Sequence, residues 1–99
     1  MSRPEESFDA ILHAISDPTR RKILGALREC KGRSSQGHDG LCALEIEQKV
    51  KVTQPTVSHH MAILHKAGLV EVKKTGLWRW YQRNEKMISG FTKRLKQIL

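Results

Sequence analysis

The residues best suited to chemistry are two adjacent histidines, His59 and His60, in the stretch TQPTVSHHMAIL. An imidazole can ligate a metal ion, act as a general base or hydrogen-bond to a nucleic acid. Both side chains can equally be ordinary polar groups on the protein surface. The role of this pair therefore depends on the elements that position it.

Catalysis is disfavoured by both size and arrangement. The chain has 99 residues, enough for one small domain but not for a roomy substrate cleft beside the core. Ser58, His59 and His60 are neighbours on one helix, whereas a nucleophile, its base and an orienting group converge from different elements. The sequence predicts a single domain over 1–99 that is not an enzyme and has no identifiable small-molecule substrate.

The charge balance indicates a phosphate-rich partner. The chain carries 18 Lys and Arg against 10 Asp and Glu, a net charge of +8. No apolar run approaches the roughly 18 residues of a membrane span, and nothing resembles a signal peptide. Two cysteines without secretory context favour a reducing compartment. We expect a cytoplasmic protein with no membrane partner.

Helical spacing predicts two helices in the first third of the chain. Pro4 suits a first turn, and Asp17 followed by Pro18 is typical of an N-cap and first-turn proline. A loop over 31–40 follows, because KGRSSQGHDG is rich in Gly and Ser and has no period. The helical apolar positions are Phe8, Ile11, Leu12 and Ile15 in the first helix, and Ile23, Leu24, Leu27 and Cys30, before Gly32, in the second.

Two short helices joined by only about three residues come next, which is the outline of a helix-turn-helix. The first has helix-spaced Ala43, Ile46 and Val50. The second opens at Thr53 as N-cap, with Pro55 in its first turn. Lys51 occupies a position of the turn where glycine is usual. The usual turn geometry therefore does not follow from the sequence alone.

After Gly68 the period changes from helical to alternating, which predicts a β-hairpin. Val70 and Val72 share one face of the first strand, and the tip is basic and contains glycine. In the second strand Trp78 and Trp80 share one face and Leu77, Arg79 and Tyr81 the other, and packing is the preferred role of the aromatic residues. Asn84 can cap a last helix with a wide apolar stripe: Met87, Ile88, Phe91, Leu95, Ile98 and Leu99.

The order is thus helix, helix, loop, helix, helix, β-wing, helix, a mainly α fold with a small β-hairpin. ISDPTRRKIL followed by LEIEQKVKVTQPTVSHHMAILHKAGLVEVKKTGLWRWYQRN resembles the ArsR family of bacterial winged helix-turn-helix repressors over nearly the whole chain. The resemblance implies a homodimer that binds operator DNA. In many members of that family, a metal ion or another signal releases the DNA.

The helix after the turn has the features of a recognition helix. Val57, Met61 and Leu64 share one face and can anchor it, while the opposite side of its first half carries short or amide-bearing donors and acceptors that read base edges. The alternative is an ordinary solvated helix face. Together with the wing, the predicted DNA-binding residues are Gln54, Pro55, Thr56, Ser58, His59, His60, Lys73, Lys74, Thr75, Gly76 and Arg79.

Other polar residues leave alternatives open. For His60, a half-buried structural role or a phosphate contact is preferred over metal ligation. Arg20, Arg21 and Lys22 open the second helix, where cations oppose the helix dipole. A phosphate partner would explain that placement, and so would an exposed polar face.

The resemblance also tells us where to look for metal ligands. Metal-sensing members carry a Cys-x-Cys-type motif at the start of helix 3 and His or acidic ligands in the final helix. Here Leu44 stands where the second cysteine would follow Cys42, and the last helix has no histidine. We therefore predict no metal or other cofactor. The alternatives are a divergent site and a disulfide switch between Cys30 and Cys42; the candidate ligands of that site are Cys30, His38, Asp39 and Cys42.

The apolar stripe of the last helix is wider than so small a domain can cover with its own core. This predicts that the first and last helices form a dimer interface. We expect a homodimeric, sequence-specific repressor acting on a palindromic operator; the competing class is a winged-helix module that binds RNA or protein. The predicted interface residues are Phe8, Ile11, Met87, Phe91, Leu95 and Ile98.

Overall fold

A computed structural model of the chain describes residues 4–29 and 40–99. Within them the predicted order of elements is confirmed. Cys30, Gly32, His38, Asp39 and the predicted loop up to residue 39 lie outside the described residues. The elements are α1 (Pro4–Ile15), α2 (Pro18–Glu29), α3 (Ala43–Val50), α4 (Gln54–Lys66), β1 (Val70–Thr75), β2 (Trp78–Arg83) and α5 (Glu85–Ile98).

Side-chain caps explain where several helices begin. The Asp17 carboxylate accepts a hydrogen bond from the backbone N–H of Arg20 at 3.0 Å, which caps α2. The Asn84 side chain accepts one from the N–H of Met87 at 3.1 Å, which caps α5. Both predicted caps are confirmed. At α3 the Glu45 carboxylate accepts from the N–H of Cys42 at 3.1 Å, half of a capping box.

A single hydrophobic core joins all the elements. The predicted inner face of α4 is confirmed, since Val57, Met61 and Leu64 are buried together with Ile23 of α2 and Ile46 of α3. This packing fixes α4 against the rest of the domain and leaves its opposite side free. No helix in the described ranges is both long and apolar enough to cross a membrane.

The turn of the helix-turn-helix has the length predicted from the sequence. It contains residues 51–53, between the end of α3 and the start of α4. Lys51 adopts the left-handed conformation, with φ 62° and ψ 47°, and its N–H donates to the Glu47 carbonyl at 2.8 Å. The turn therefore forms without the glycine that this backbone conformation favours.

The hairpin is antiparallel, and its two-residue turn consists of Gly76 and Leu77. The expectation that Leu77 lies on the second strand is wrong, because positive φ at Gly76 allows a tighter turn and the strand begins at Trp78. Trp78 stacks on buried Trp80, with ring centroids 5.9 Å apart. The aromatic residues thus pack the wing, as predicted.

A single residue extends the sheet beyond the hairpin. Leu41 pairs with Tyr81 through two backbone hydrogen bonds of 2.9 and 2.8 Å. Gly40 lies next to this bridge with φ +91°, and a Cβ there would overlap the Tyr81 carbonyl oxygen. Gly40 therefore lets the chain approach β2 closely just before α3 begins.

Candidate nucleic-acid interface

The first turn of α4 is built differently from a side-chain-capped helix. Thr53 occupies the predicted N-cap position with extended backbone angles, and Pro55 lies in the first turn as expected. The Thr53 hydroxyl lies 2.9 Å from the Thr56 hydroxyl and makes no cap hydrogen bond to the backbone. Thr53 therefore leaves the first-turn N–H groups without a side-chain acceptor.

The side of α4 that faces away from the core is polar in its first half. Gln54, Pro55, Ser58 and His59 are exposed, and Thr56 is partly buried. Three of these five side chains offer donors or acceptors of the kind that bind base edges, and His59 adds an imidazole. The geometry is that of an anchored helix presenting a short polar surface.

The register of the hairpin separates its cations into two faces. Val72 lies opposite Tyr81 and Lys74 opposite Arg79, and all four side chains line a groove of about 330 Å³ between the hairpin and α4. Lys73 lies opposite Trp80, on the other face. Lys73 and Lys74 were predicted as equivalent contacts, but only Lys74 lines the groove.

The groove has polar walls from both elements. The helix contributes Ser58 and His65, both exposed, and the hairpin contributes Lys74 and Arg79. Sequence reasoning missed His65, although it lies about two helical turns after Ser58 and the 3.6-residue period could have placed it on the same face. A strand of phosphates could lie against such walls.

Lys74 and Arg79 form an unfavourable pair within the protein alone. Like charges directly opposite each other in an antiparallel pair destabilise it by about 0.2–1 kcal/mol. Neither forms an ion pair with a carboxylate in the part of the chain that the structure describes. An anion in the groove would relieve this repulsion. Thr75 and Gly76 are exposed at the tip beside the pair.

Among the basic residues at the start of α2, Arg21 and Lys22 are exposed, as one of the two predicted alternatives requires, whereas Arg20 is buried and fits neither. Arg20 is 6% exposed and donates to the carbonyls of Ala14 (2.5 Å) and His13 (3.2 Å). Arg21 donates to the Ile15 carbonyl at 2.7 Å. These two cations satisfy the last carbonyls of α1, where the negative end of the helix dipole lies. Sequence reasoning missed this role because it depends on how α1 meets α2.

The two histidines have different environments. His59 is exposed, whereas His60 is partly buried and its Nδ1 lies 3.2 Å from an Arg20 guanidinium nitrogen. Burial lowers the pKa of His60 below its ordinary value, Arg20 and His59 lower it further, and Asp17 opposes them. His59 can therefore face a ligand, and His60 belongs to the junction between helices.

The residues present do not fit a metal site of the kind the resemblance implies. Within residues 4–29 and 40–99 no group of three or more His, Cys, Asp or Glu side chains could hold a metal ion. Cys42 is buried as a free thiol, and Leu44, where a second sulfur would be needed, is exposed. The divergent site and the thiol switch both require Cys30, which lies outside the described residues.

The predicted interface residues fall into two groups. Phe8, Ile11 and Phe91 are buried within the chain, and the Phe8 and Phe91 rings pack with centroids 5.1 Å apart. Leu95 is partly buried, while Met87 and Ile98 are 37% and 60% exposed. The first group therefore joins α1 to α5, and the second group leaves apolar surface on the outside of the domain.

Comparisons with known proteins agree with this geometry. A helix-turn-helix domain family matches residues 15–73. An HTH-type transcriptional regulator of Methanocaldococcus jannaschii is 41% identical over 77% of this chain and 76% of its own length. The arsenical resistance operon repressor of Staphylococcus aureus is 33% identical over 94% of this chain and 81% of its own length.

A solved structure extends the likeness to the whole fold. It is the homodimeric winged helix-turn-helix DNA-binding domain of a possible ArsR-family regulator from Mycobacterium bovis, with a TM-score of 0.72 at 20% identity, covering 94% of this chain and 77% of that one. The sequence relatives are HTH-type regulators and repressors, and the fold matches that of the solved winged helix-turn-helix domain. The chain belongs to the ArsR-type helix-turn-helix family of transcriptional repressors.

Proposed function

We propose that this repressor binds a palindromic operator in double-stranded DNA as a homodimer, through α4 and the hairpin. The observation that carries the proposal is the groove between these elements, where Ser58 of α4 and the opposed cations Lys74 and Arg79 line one surface. A base-reading helix beside unpaired cations suits DNA, which combines base edges with a phosphate backbone.

In this proposal the two elements have separate tasks. The first half of α4 enters the major groove, where Gln54 and Ser58 read base edges. Thr56 and His59 supply further hydrogen-bonding groups on the same surface. Lys74 and Arg79 contact phosphates, which adds affinity without sequence information. Two such helices, related by a two-fold axis, read half-sites about 34 Å apart. A bound dimer excludes RNA polymerase wherever the operator overlaps a promoter.

The competing class, a winged helix that binds RNA or protein, fits the surface of α4 less well. A protein-binding surface would have apolar or aromatic anchors at its centre, and the exposed first half of α4 has amide, hydroxyl and imidazole groups instead. The proposal includes no metal or other cofactor. It places the protein with chromosomal DNA in the cytoplasm.

The test begins with the chromosomal fragments that the purified protein retains. On such a fragment, Gln54→Ala should weaken binding by about 1–3 kcal/mol and should have little effect on random DNA. Gln48→Ala is the control, because Gln48 is an exposed glutamine on α3 outside the predicted contact set. Failure to retain any DNA fragment contradicts the proposed function, and equal losses on both DNAs contradict the assigned readout.

A further inference from the structure

Arg20 is a buried cation at the place where α1, α2 and α4 meet. Burying a guanidinium costs several kcal/mol unless its donors find acceptors. Here Nε and one terminal nitrogen bind the carbonyls of Ala14 and His13, at the end of α1. The other terminal nitrogen lies 3.2 Å from Nδ1 of His60, on α4. One side chain thus connects the end of α1 to the recognition helix.

This contact determines the protonation of His60. A guanidinium has five N–H donors and no acceptor, so Nδ1 must accept and cannot carry a proton. His60 is therefore neutral, with its hydrogen on Nε2. A protonated His60 would direct an N–H at the guanidinium, which breaks the hydrogen bond and places two positive charges side by side.

The neighbouring charges act in both directions. Asp17, in the turn before α2, favours the imidazolium, whereas Arg20 and His59 oppose it. The Asp17 carboxylate is itself engaged, since it accepts a hydrogen bond from the backbone N–H of Arg20, and that bond holds the pKa of Asp17 below its ordinary value. Burial of the ring adds to the opposition, so the neutral form is favoured in the folded protein.

We infer that Arg20 is a positioning residue for DNA recognition, which holds α4 to the end of α1 through neutral His60 and releases it when His60 is protonated. The inference rests on the proposed function. Protonation of His60 therefore loosens the helix that reads the bases.

The sign of the pH effect follows from linkage. If DNA-bound protein requires the Arg20–His60 contact, His60 has a lower pKa when bound than when free, so acid weakens binding. The folded pKa already lies below the ordinary 6.5, so the loss develops below about pH 6.5 and is absent above it. A difference of one pKa unit between the two states corresponds to about a tenfold loss of affinity at full protonation.

The experiment measures affinity for a retained operator fragment from about pH 5.5 to pH 8. Relative to wild type, His60→Gln should lose less affinity on acidification, by up to about tenfold for each unit by which DNA binding lowers the pKa of His60, because its amide oxygen accepts from Arg20 at every pH. His13→Gln is the matched control, because it removes an exposed imidazole outside the predicted contact set, and it should follow the wild-type pH profile. Identical pH profiles for wild type and His60→Gln overturn the inference while leaving the proposed function intact.

A second measurement needs no DNA. Nitrogen chemical shifts of the imidazole in the wild-type protein should show an unprotonated Nδ1 and a protonated Nε2 for His60, and a mixture of tautomers for His59. In Arg20→Lys the His60 preference should weaken, because an ammonium lacks the planar fork that reaches three acceptors at once. A protonated Nδ1 on His60 in the wild-type protein overturns the inference directly.

Discussion

Lys51 carries conformational strain at a defined position in the helix-turn-helix. Its backbone is left-handed, and for a residue with a Cβ this conformation costs about 1–2 kcal/mol. The residue ends α3 with its N–H still bonded to the Glu47 carbonyl, and its left-handed backbone then turns the chain away from the helix. The exposed side chain therefore sits on a backbone that glycine would adopt without strain.

Lys51→Gly should raise the free energy of unfolding by about 0.5–1 kcal/mol, because relief of strain exceeds the added freedom of the unfolded chain. Urea denaturation followed by circular dichroism measures the change. Lys51→Ala removes the same charge without relieving the backbone and should leave stability within about 0.5 kcal/mol of wild type. Equal stabilisation by both substitutions would attribute the gain to charge and contradict the strain argument.

At the scale of the elements, repulsion between Lys74 and Arg79 slightly lowers the stability of the hairpin. Opposed cations weaken the strand pair, yet they line the wall of the groove that faces α4. A charge arrangement that disfavours the folded protein but favours an anion beside it is typical of a binding surface. Stability and DNA binding should therefore respond in opposite directions when one of these charges is removed.

Lys74→Gln and Arg79→Gln should each raise the free energy of unfolding by about 0.2–1 kcal/mol. Each should also weaken binding to operator and random DNA alike, and reduce the slope of log affinity against log salt by about one unit per site. Lys93→Gln, on α5, is the control and should leave the slope unchanged. A loss of affinity with an unchanged slope in the hairpin variants would exclude phosphate contact.

The elements themselves could be predicted because their signals are local. Asp17 and Asn84 cap helices through side chains only three residues from the N–H groups they bind, so sequence spacing is sufficient. The inner face of α4 follows from helical period in the same way. The predicted start of the second strand was wrong by one residue, at Leu77, because strand alternation does not specify which residues form the turn.

The half-buried structural role of His60 was among the predictions, but its partner Arg20 and the role of Arg20 were not, because they arise from contacts between distant parts of the chain. Arg20 binds carbonyls six and seven residues earlier and an imidazole 40 residues later. Charge alone indicates an exposed cation, since arginine is rarely buried unless paired. Its burial follows only once α1, α2 and α4 are assembled, and the same assembly makes the two adjacent histidines unequal.

At the scale of the whole molecule, apolar surface remains where α1 and α5 meet. The two helices pack through Phe8 and Phe91, and a groove of about 430 Å³ with mostly apolar walls runs beside the two rings. Met87 lines this groove and is partly exposed, as are Ile98 further along α5 and Leu12 on α1. Exposed apolar side chains beside an apolar groove are typical of a protein interface.

A homodimer through this surface would cover the groove and hold the two recognition helices at a fixed separation. Leu95→Glu and Ile98→Glu should therefore give monomers in sedimentation velocity, because a buried carboxylate without a partner is costly. Operator affinity should fall with the dimer, since each monomer reads only one half-site. Leu44→Glu is the matched control, because Leu44 is similarly exposed, at 52%, but lies on α3 and should remain dimeric. Circular dichroism verifies that each variant is folded, and an intact dimer in both folded α5 variants would contradict this interface.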